Sequence, residues 1–136
     1  MPATAQEIAI AVARLNRRLR QERHSELTPT QLSVLGAMTA AGPVTPGALA
    51  AREKVSPPSI TRTLGALVEL GLVDKAPHPA DGRQVVVSVS ERGASVLAEE
   101  RQRRDAWLYL RLQELDDHDR EVLTEAAEIL TRLAES

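Results

Sequence analysis

The chain is organised around residues 43–83, which read PVTPGALAAREKVSPPSITRTLGALVELGLVDKAPHPADGR. The pattern predicts a short helix from Thr45 to Arg52, a turn at residues 53–55, and a second helix from Ser56 to about Leu70. A loop rich in Pro and Gly and a strand rich in Val follow. The order helix, turn, helix, hairpin is typical of a winged helix, which presents one helix and one loop to DNA.

The helix that begins at Ser56 has two different faces. On a wheel of about 100° per residue, the apolar side chains fall on one side and Arg62 falls on the other. Short polar residues fill the first turns, near the positive end of the helix dipole, where phosphates and base edges are contacted. A plain amphipathic helix with a polar outer face shows the same pattern. The residues predicted to contact DNA from this helix are Ser56, Pro57, Pro58, Ser59, Thr61 and Arg62.

The hairpin is predicted from a strand at Leu72–Lys75, a loop at His78–Arg83 and a second strand at Gln84–Val89. Arg83 stands at the loop tip, where a guanidinium suits the negative potential of a DNA minor groove. Asp81 can accept a hydrogen bond from that arginine and fix its direction. Further DNA contacts are predicted for Thr45, Lys54 and Lys75.

Helix starts are marked by side chains that can cap them. Thr28-Pro29-Thr30-Gln31 reads as a capping box, and Thr45 and Ser56 are each followed by Pro at the first helical position. Ser90 is expected to cap a fifth helix that runs to roughly Leu112. Asp116 or Asp117 is expected to cap a sixth.

The first and sixth helices each carry an apolar stripe with helical spacing. The first helix is predicted over residues 5–23, and its many arginines are expected to form a solvated face. We interpret the two stripes as the interface of a homodimer, and the alternative is a monomer in which the two helices cover each other. The predicted interface residues are Ile8, Val12, Leu15, Leu19, Trp107, Val122, Ala126, Ile129 and Leu133.

Composition excludes several classes of protein. The 136 residues contain no Cys, which excludes disulfides and thiolate chemistry. His24, His78 and His118 lack the spacing of metal ligands, so neither a metal site nor a cofactor is predicted. No nucleophile–base pair or phosphate-binding loop is found, so no enzyme is predicted. The lack of a membrane-length apolar run and of a signal-peptide pattern predicts a cytoplasmic protein without membrane contact.

The net charge of −2 is unevenly distributed. Residues 1–93 hold 11 Lys/Arg against 8 Asp/Glu, whereas residues 94–136 hold 6 against 11. A basic body with an acidic tail suits a protein that binds nucleic acid through its first part. A winged helix that binds another protein is the second hypothesis, which the small basic excess favours and the polar helix face disfavours.

Four segments, in this order and at this spacing, resemble the multiple-antibiotic-resistance regulator (MarR) family of bacterial transcription factors. They are similar to the family's recognition-helix start, helix exit, Asp-x-Arg wing and wing-to-helix junction. The four are Val55–Arg62, Leu67–Val73, Asp81–Arg83 and Val89–Gly93. The resemblance covers nearly the whole chain.

The resemblance implies a single domain over residues 1–136 that is mostly α-helical with a small β-hairpin wing. A winged helix-turn-helix lobe at 28–93 would be joined to dimerisation helices at 1–27 and 94–136. It further implies a dimeric repressor, less often an activator, on an inverted-repeat operator in double-stranded DNA. Arg83 would enter the minor groove with Asp81 as its partner, and a small lipophilic or phenolic effector would release the DNA.

Two departures from the family pattern affect these expectations. The hairpin carries Asp74 and Lys75 where arginines are frequent in the family, so DNA affinity is predicted to be modest and strongly salt-dependent. Trp107 and Tyr109 are the only aromatic residues, and they are expected to pack in the dimer core rather than line a ligand site.

Overall fold

The computed structural model describes residues 1–136 and contains six helices and one two-stranded antiparallel sheet. This architecture confirms the predicted mostly helical fold with a small hairpin. The first helix ends one residue earlier than predicted, and the first strand extends two residues further. In chain order the elements are α1 (Ala5–Glu22), α2 (Pro29–Ala41), α3 (Pro46–Glu53), α4 (Pro57–Glu69), β1 (Val73–Pro77), β2 (Val85–Val89), α5 (Glu91–Gln113) and α6 (Asp117–Glu135).

The chain forms two compact units. The first, here called the lobe, comprises Arg23–Gln102 and contains α2, α3, α4, the hairpin and the first half of α5. The second, here called the helical unit, comprises Met1–Glu22 and Arg103–Ser136. No helix in the chain is both long and apolar enough to span a lipid bilayer.

Local capping explains where the helices begin. The capping box at α2 is complete, since Thr28 Oγ1 accepts from the Gln31 amide at 3.1 Å and Gln31 Oε1 accepts from the Thr28 amide at 3.0 Å. Asp116, not Asp117, caps α6 by accepting from the Asp119 amide at 2.8 Å. Each such cap stabilises its helix by about 1 kcal/mol.

The lobe is built on a single hydrophobic core. Its largest fully buried side chains are Leu35, Met38, Leu49, Ile60, Leu67 and Val87. They come from α2, α3, α4 and β2, so the three helices and the hairpin share one interior. The backbone of Val44 pairs with that of Val87 through two hydrogen bonds and anchors β2 from the side opposite β1.

The start of α5 is fastened to the end of α4. The Ser90 hydroxyl donates to the Gly71 carbonyl at 2.7 Å and accepts from the Gly93 amide at 3.0 Å, as expected of a cap. The Ser90 amide donates to the Leu72 carbonyl at 3.0 Å. A Cβ atom on Gly93 would overlap that same carbonyl oxygen. These contacts fix the base of the hairpin relative to α4.

The helical unit has no comparable interior. Neither α1 nor α6 contains a buried residue. The half-buried Trp107 ring of α5 has two arginines beside it: the Arg18 guanidinium of α1 lies 5.0 Å and the Arg111 guanidinium of α5 lies 5.8 Å from the ring centre. Arg18 is exposed, as predicted for the arginine face of α1, and it also packs on an aromatic ring.

Candidate nucleic-acid interface

Helix α4 presents a defined face to solvent. Ile60, Leu64 and Leu67 are buried in the lobe core. Because these residues occupy one side of the helix, Thr61 and Arg62 are exposed on the other. The separation of faces predicted from the sequence is therefore present, and the outward face is polar, with Arg62 and Glu69 as its charged residues.

Two hydroxyl groups at the start of α4 form hydrogen bonds within the helix itself. Ser56 Oγ accepts from the Ser59 amide at 3.3 Å and donates to Ser59 Oγ at 2.9 Å, so the two hydroxyls are bound to each other. Pro57 and Pro58 occupy the first turn and are exposed. No hydrogen bond within the chain engages the side chains of Thr61 or Arg62, which leaves both available to a ligand.

The turn between α3 and α4 places a lysine in a strained conformation. Lys54 has φ of 56°, in the left-handed region that Gly ordinarily occupies at a helix end. Its amide donates to Ala51 O at 3.3 Å and the Val55 amide donates to Ala50 O at 3.1 Å. At the end of α4 the same hydrogen-bonding pattern uses Gly71, with φ of 77°. The left-handed conformation costs a non-glycine residue about 1 kcal/mol, and Lys54 is exposed two residues before Ser56, the cap of α4.

Two of the remaining predicted residues differ in how their side chains are used. Thr45 is half-buried, and its hydroxyl accepts from the Ala48 amide at 3.2 Å as the cap of α3. A DNA contact by Thr45 stays a prediction beside this structural role. Lys75 lies on β1 opposite Val87, and its side chain is exposed.

The tip of the hairpin holds Arg83 by its side chain and its backbone. Asp81 Oδ1 accepts from Arg83 Nε at 3.2 Å, which is the predicted hydrogen bond, and also from the Arg83 amide at 3.1 Å. The Gln84 amide donates to the Asp81 carbonyl at 3.0 Å and closes a tight turn. The Arg83 side chain is 92% exposed, so apart from its ion pair with Asp81 it is surrounded by solvent.

His78 lies in the predicted wing loop, but its side chain has a role that the sequence did not predict. Its Nδ1 accepts from the Ala80 amide at 3.0 Å and from the Asp81 amide at 3.2 Å. The sequence predicts His78 as part of the loop and not as a metal ligand, and it assigns no contact to the side chain. Asn and Asp side chains often accept a hydrogen bond from the backbone amide two residues later, and for those residues this pattern predicts a turn. Histidine at that position gives a much weaker signal.

Comparisons with known proteins agree with this geometry. Residues 25–84 match the model of the MarR family. The chain is 46% identical over 132 residues to an uncharacterized HTH-type transcriptional regulator of Mycobacterium bovis, covering 96% of this chain and 92% of that protein. A Pseudomonas aeruginosa protein of known crystal structure is similar at 34% identity and a TM-score of 0.82, covering 98% and 99% of the two chains. The Multiple Antibiotic Resistance Repressor, MarR, shares the fold at 23% identity and a TM-score of 0.78, covering 98% and 96%.

Proposed function

The chain belongs to the MarR family of transcriptional regulators, and from that premise we propose that it binds an inverted-repeat operator in double-stranded DNA as a homodimer. The observation that carries the proposal is the arrangement of α4 and the wing on one self-contained lobe. Helix α4 buries its apolar side and exposes Thr61 and Arg62, while the wing exposes Arg83. A polar helix face of this kind reads base edges in a major groove, and a guanidinium on a loop suits a minor groove.

Dimerisation is supported by the apolar faces of the helical unit. Leu15 on α1 is 48% exposed and Leu133 on α6 is 61% exposed. Several more large apolar side chains are exposed on the neighbouring turns of these two helices. A continuous exposed apolar surface of this kind is typical of a protein–protein interface. The two helices do not bury each other's stripes within one chain, which disfavours the monomeric alternative. A symmetric dimer would present two recognition helices, and its operator would then be an inverted repeat.

Repression and effector release are further proposals that follow from the family. The name of the related MarR protein states repression for that protein, and we propose the same sign of regulation here. Trp107 is already flanked by two guanidinium groups, and Tyr109 is exposed. An effector that rearranges the helical unit when it binds is expected to change the fluorescence of Trp107, the only Trp in the chain.

The test of the proposal is a selection from a pool of random duplexes with the full-length protein, repeated at two salt concentrations. We expect recovery of an inverted repeat whose half-sites are about one helical turn apart. Arg62→Ala should weaken the recovered motif, whereas Arg132→Ala, an exposed arginine on α6, should leave it intact. Salt-sensitive binding without any motif would indicate attraction to phosphate alone. The proposal of a sequence-specific regulator would then fail, and a protein-binding winged helix would replace it.

A further inference from the structure

The wing of this protein holds its arginine through a short relay of hydrogen bonds. The relay begins at the imidazole of His78, whose Nδ1 accepts from two consecutive backbone amides, those of Ala80 and Asp81. It continues at Asp81, whose carboxylate accepts from both the amide and the Nε of Arg83. One side chain therefore orients the backbone of Asp81, and the side chain of Asp81 then orients Arg83.

The backbone of the same loop is closed around this relay. The His78 amide donates to the Gln84 carbonyl at 3.0 Å, which extends the ladder between β1 and β2 by one pair. The Gln84 amide donates to the Asp81 carbonyl at 3.0 Å. Between these two bonds, the amides of Ala80 and Asp81 point into the loop and have no carbonyl partner. The His78 ring is the acceptor that satisfies both of them.

This geometry also determines where the imidazole carries its proton. A nitrogen that accepts two N–H bonds has a free lone pair and no hydrogen, so the proton of the neutral ring resides on Nε2. His78 is half-buried, whereas the other members of the tip are mostly exposed. The ring therefore serves as a hydrogen-bond acceptor inside the loop.

Arg83 has particular need of such an anchor. Its side chain is 92% exposed, and Asp81 is the residue to which it is hydrogen-bonded. A long, unsupported side chain loses much rotamer freedom when it enters a groove, and that loss weakens binding. An Asp81 held in place by its own amide reduces this loss before the DNA arrives.

We propose that His78 is a positioning residue for the DNA contact of Arg83, acting through the amide and carboxylate of Asp81. The inference rests on the proposed function, because it requires Arg83 to contact DNA. It adds a residue to the interface that makes its contribution without touching the nucleic acid.

The experiment compares two substitutions that separate the acceptor from the ring. His78→Asn retains an acceptor, because Asn Oδ1 lies at the same distance along the side chain as His Nδ1 and caps turns in the same way. His78→Phe retains a ring and loses the acceptor. Each is made alone and together with Arg83→Ala, and His118→Phe, at an exposed position on α6, is the matched control.

Affinity is measured for a mixed-sequence duplex of about 30 base pairs, long enough for two half-sites one helical turn apart. We expect Arg83→Ala to weaken binding about tenfold and His78→Phe about threefold, in line with the loss of single charged and neutral hydrogen bonds. His78→Asn should bind like the natural protein. In the Arg83→Ala background, His78→Phe should cause no further loss. Amide exchange at Ala80 and Asp81 should be faster in His78→Phe only.

The possible outcomes test the positioning role of His78 separately from the DNA contact of Arg83. If Arg83→Ala binds as well as the natural protein, the wing contact itself is wrong, whatever happens at His78. If Arg83→Ala weakens binding and His78→Phe does not, the positioning role of His78 is wrong. An equal loss from His78→Phe with and without Arg83 would also overturn the inference, because His78 would then act independently of the arginine.

Discussion

The lobe and the helical unit are made from similar amphipathic helices, yet they treat their apolar faces in opposite ways. All the buried hydrophobic residues of the chain, from Leu32 to Leu97, lie in the lobe. Most of the exposed large hydrophobic residues lie in the helical unit, on α1, α6 and the second half of α5. The difference teaches that the lobe is built around an interior of its own, whereas the helical unit leaves its apolar side chains exposed.

The physical reason lies in the number of elements available to each unit. The lobe brings three helices, a hairpin and half of α5 around one core, so that each apolar face meets another. The helical unit has α1, α6 and the other half of α5, which leave a broad apolar surface in contact with water. Burial of such a surface contributes roughly 25 cal/mol per Å², so covering it in the proposed dimer would be favourable.

The largest expected effect tests whether the lobe has its own core. Leu35 is 0% exposed, and Leu35→Ala should lower the free energy of unfolding by about 4 kcal/mol, because the cavity it leaves cannot collapse fully. Chemical denaturation at two protein concentrations measures the loss, which should be the same at both. Leu133→Ala, on the exposed stripe of α6, is the comparison. A loss below about 1 kcal/mol for Leu35→Ala would contradict an independent core.

A second prediction concerns the surface of the helical unit. Ile129→Asp places a carboxylate in the apolar stripe of α6, and it should weaken the proposed dimer by about 2 kcal/mol or more, because the charge loses hydration on association. Thr124→Asp adds the same charge to the opposite face of α6 and should have little effect. Sedimentation equilibrium gives the association constant for each variant. If Ile129→Asp associates as tightly as the natural chain, this stripe is not the interface.

The smallest expected effect concerns two residues of the lobe that have a left-handed backbone conformation. Lys54 and His24 are the two non-glycine residues with positive φ, at 56° and 51°. Replacing either with Gly should raise the free energy of unfolding by about 0.5 to 1 kcal/mol, since Gly adopts this conformation without steric cost. Thermal unfolding measures both variants.

DNA affinity should separate these two glycine substitutions. Lys54→Gly removes a predicted phosphate contact from each subunit, so the slope of log affinity against log salt should become shallower by about 2 for the dimer. His24→Gly should leave the slope unchanged. Equal slopes for the two variants would remove Lys54 from the interface and leave its strained conformation without a role in DNA binding.

Much of the lobe could be predicted because its signals are local. The capping box of Thr28, the two faces of α4 and the hydrogen bond between Asp81 and Arg83 each involve residues within a few positions of each other. Such features can be predicted from the sequence, because the residues that form them are close together in the chain. The hydrogen bonds of His78 were not predicted although they too are local, because an imidazole in the role usually taken by Asn or Asp has no distinctive pattern.

By itself, the sequence determined where helices begin, which of their faces are apolar and which residues form the wing tip. Hydrogen bonds between near neighbours and the period of the helix decide these features. Only the tertiary structure decided which apolar faces are buried. Periodicity marks the stripes of α1, α4 and α6 in the same way, but burial depends on whether distant segments meet a stripe. They meet it on α4 and leave it exposed on α1 and α6.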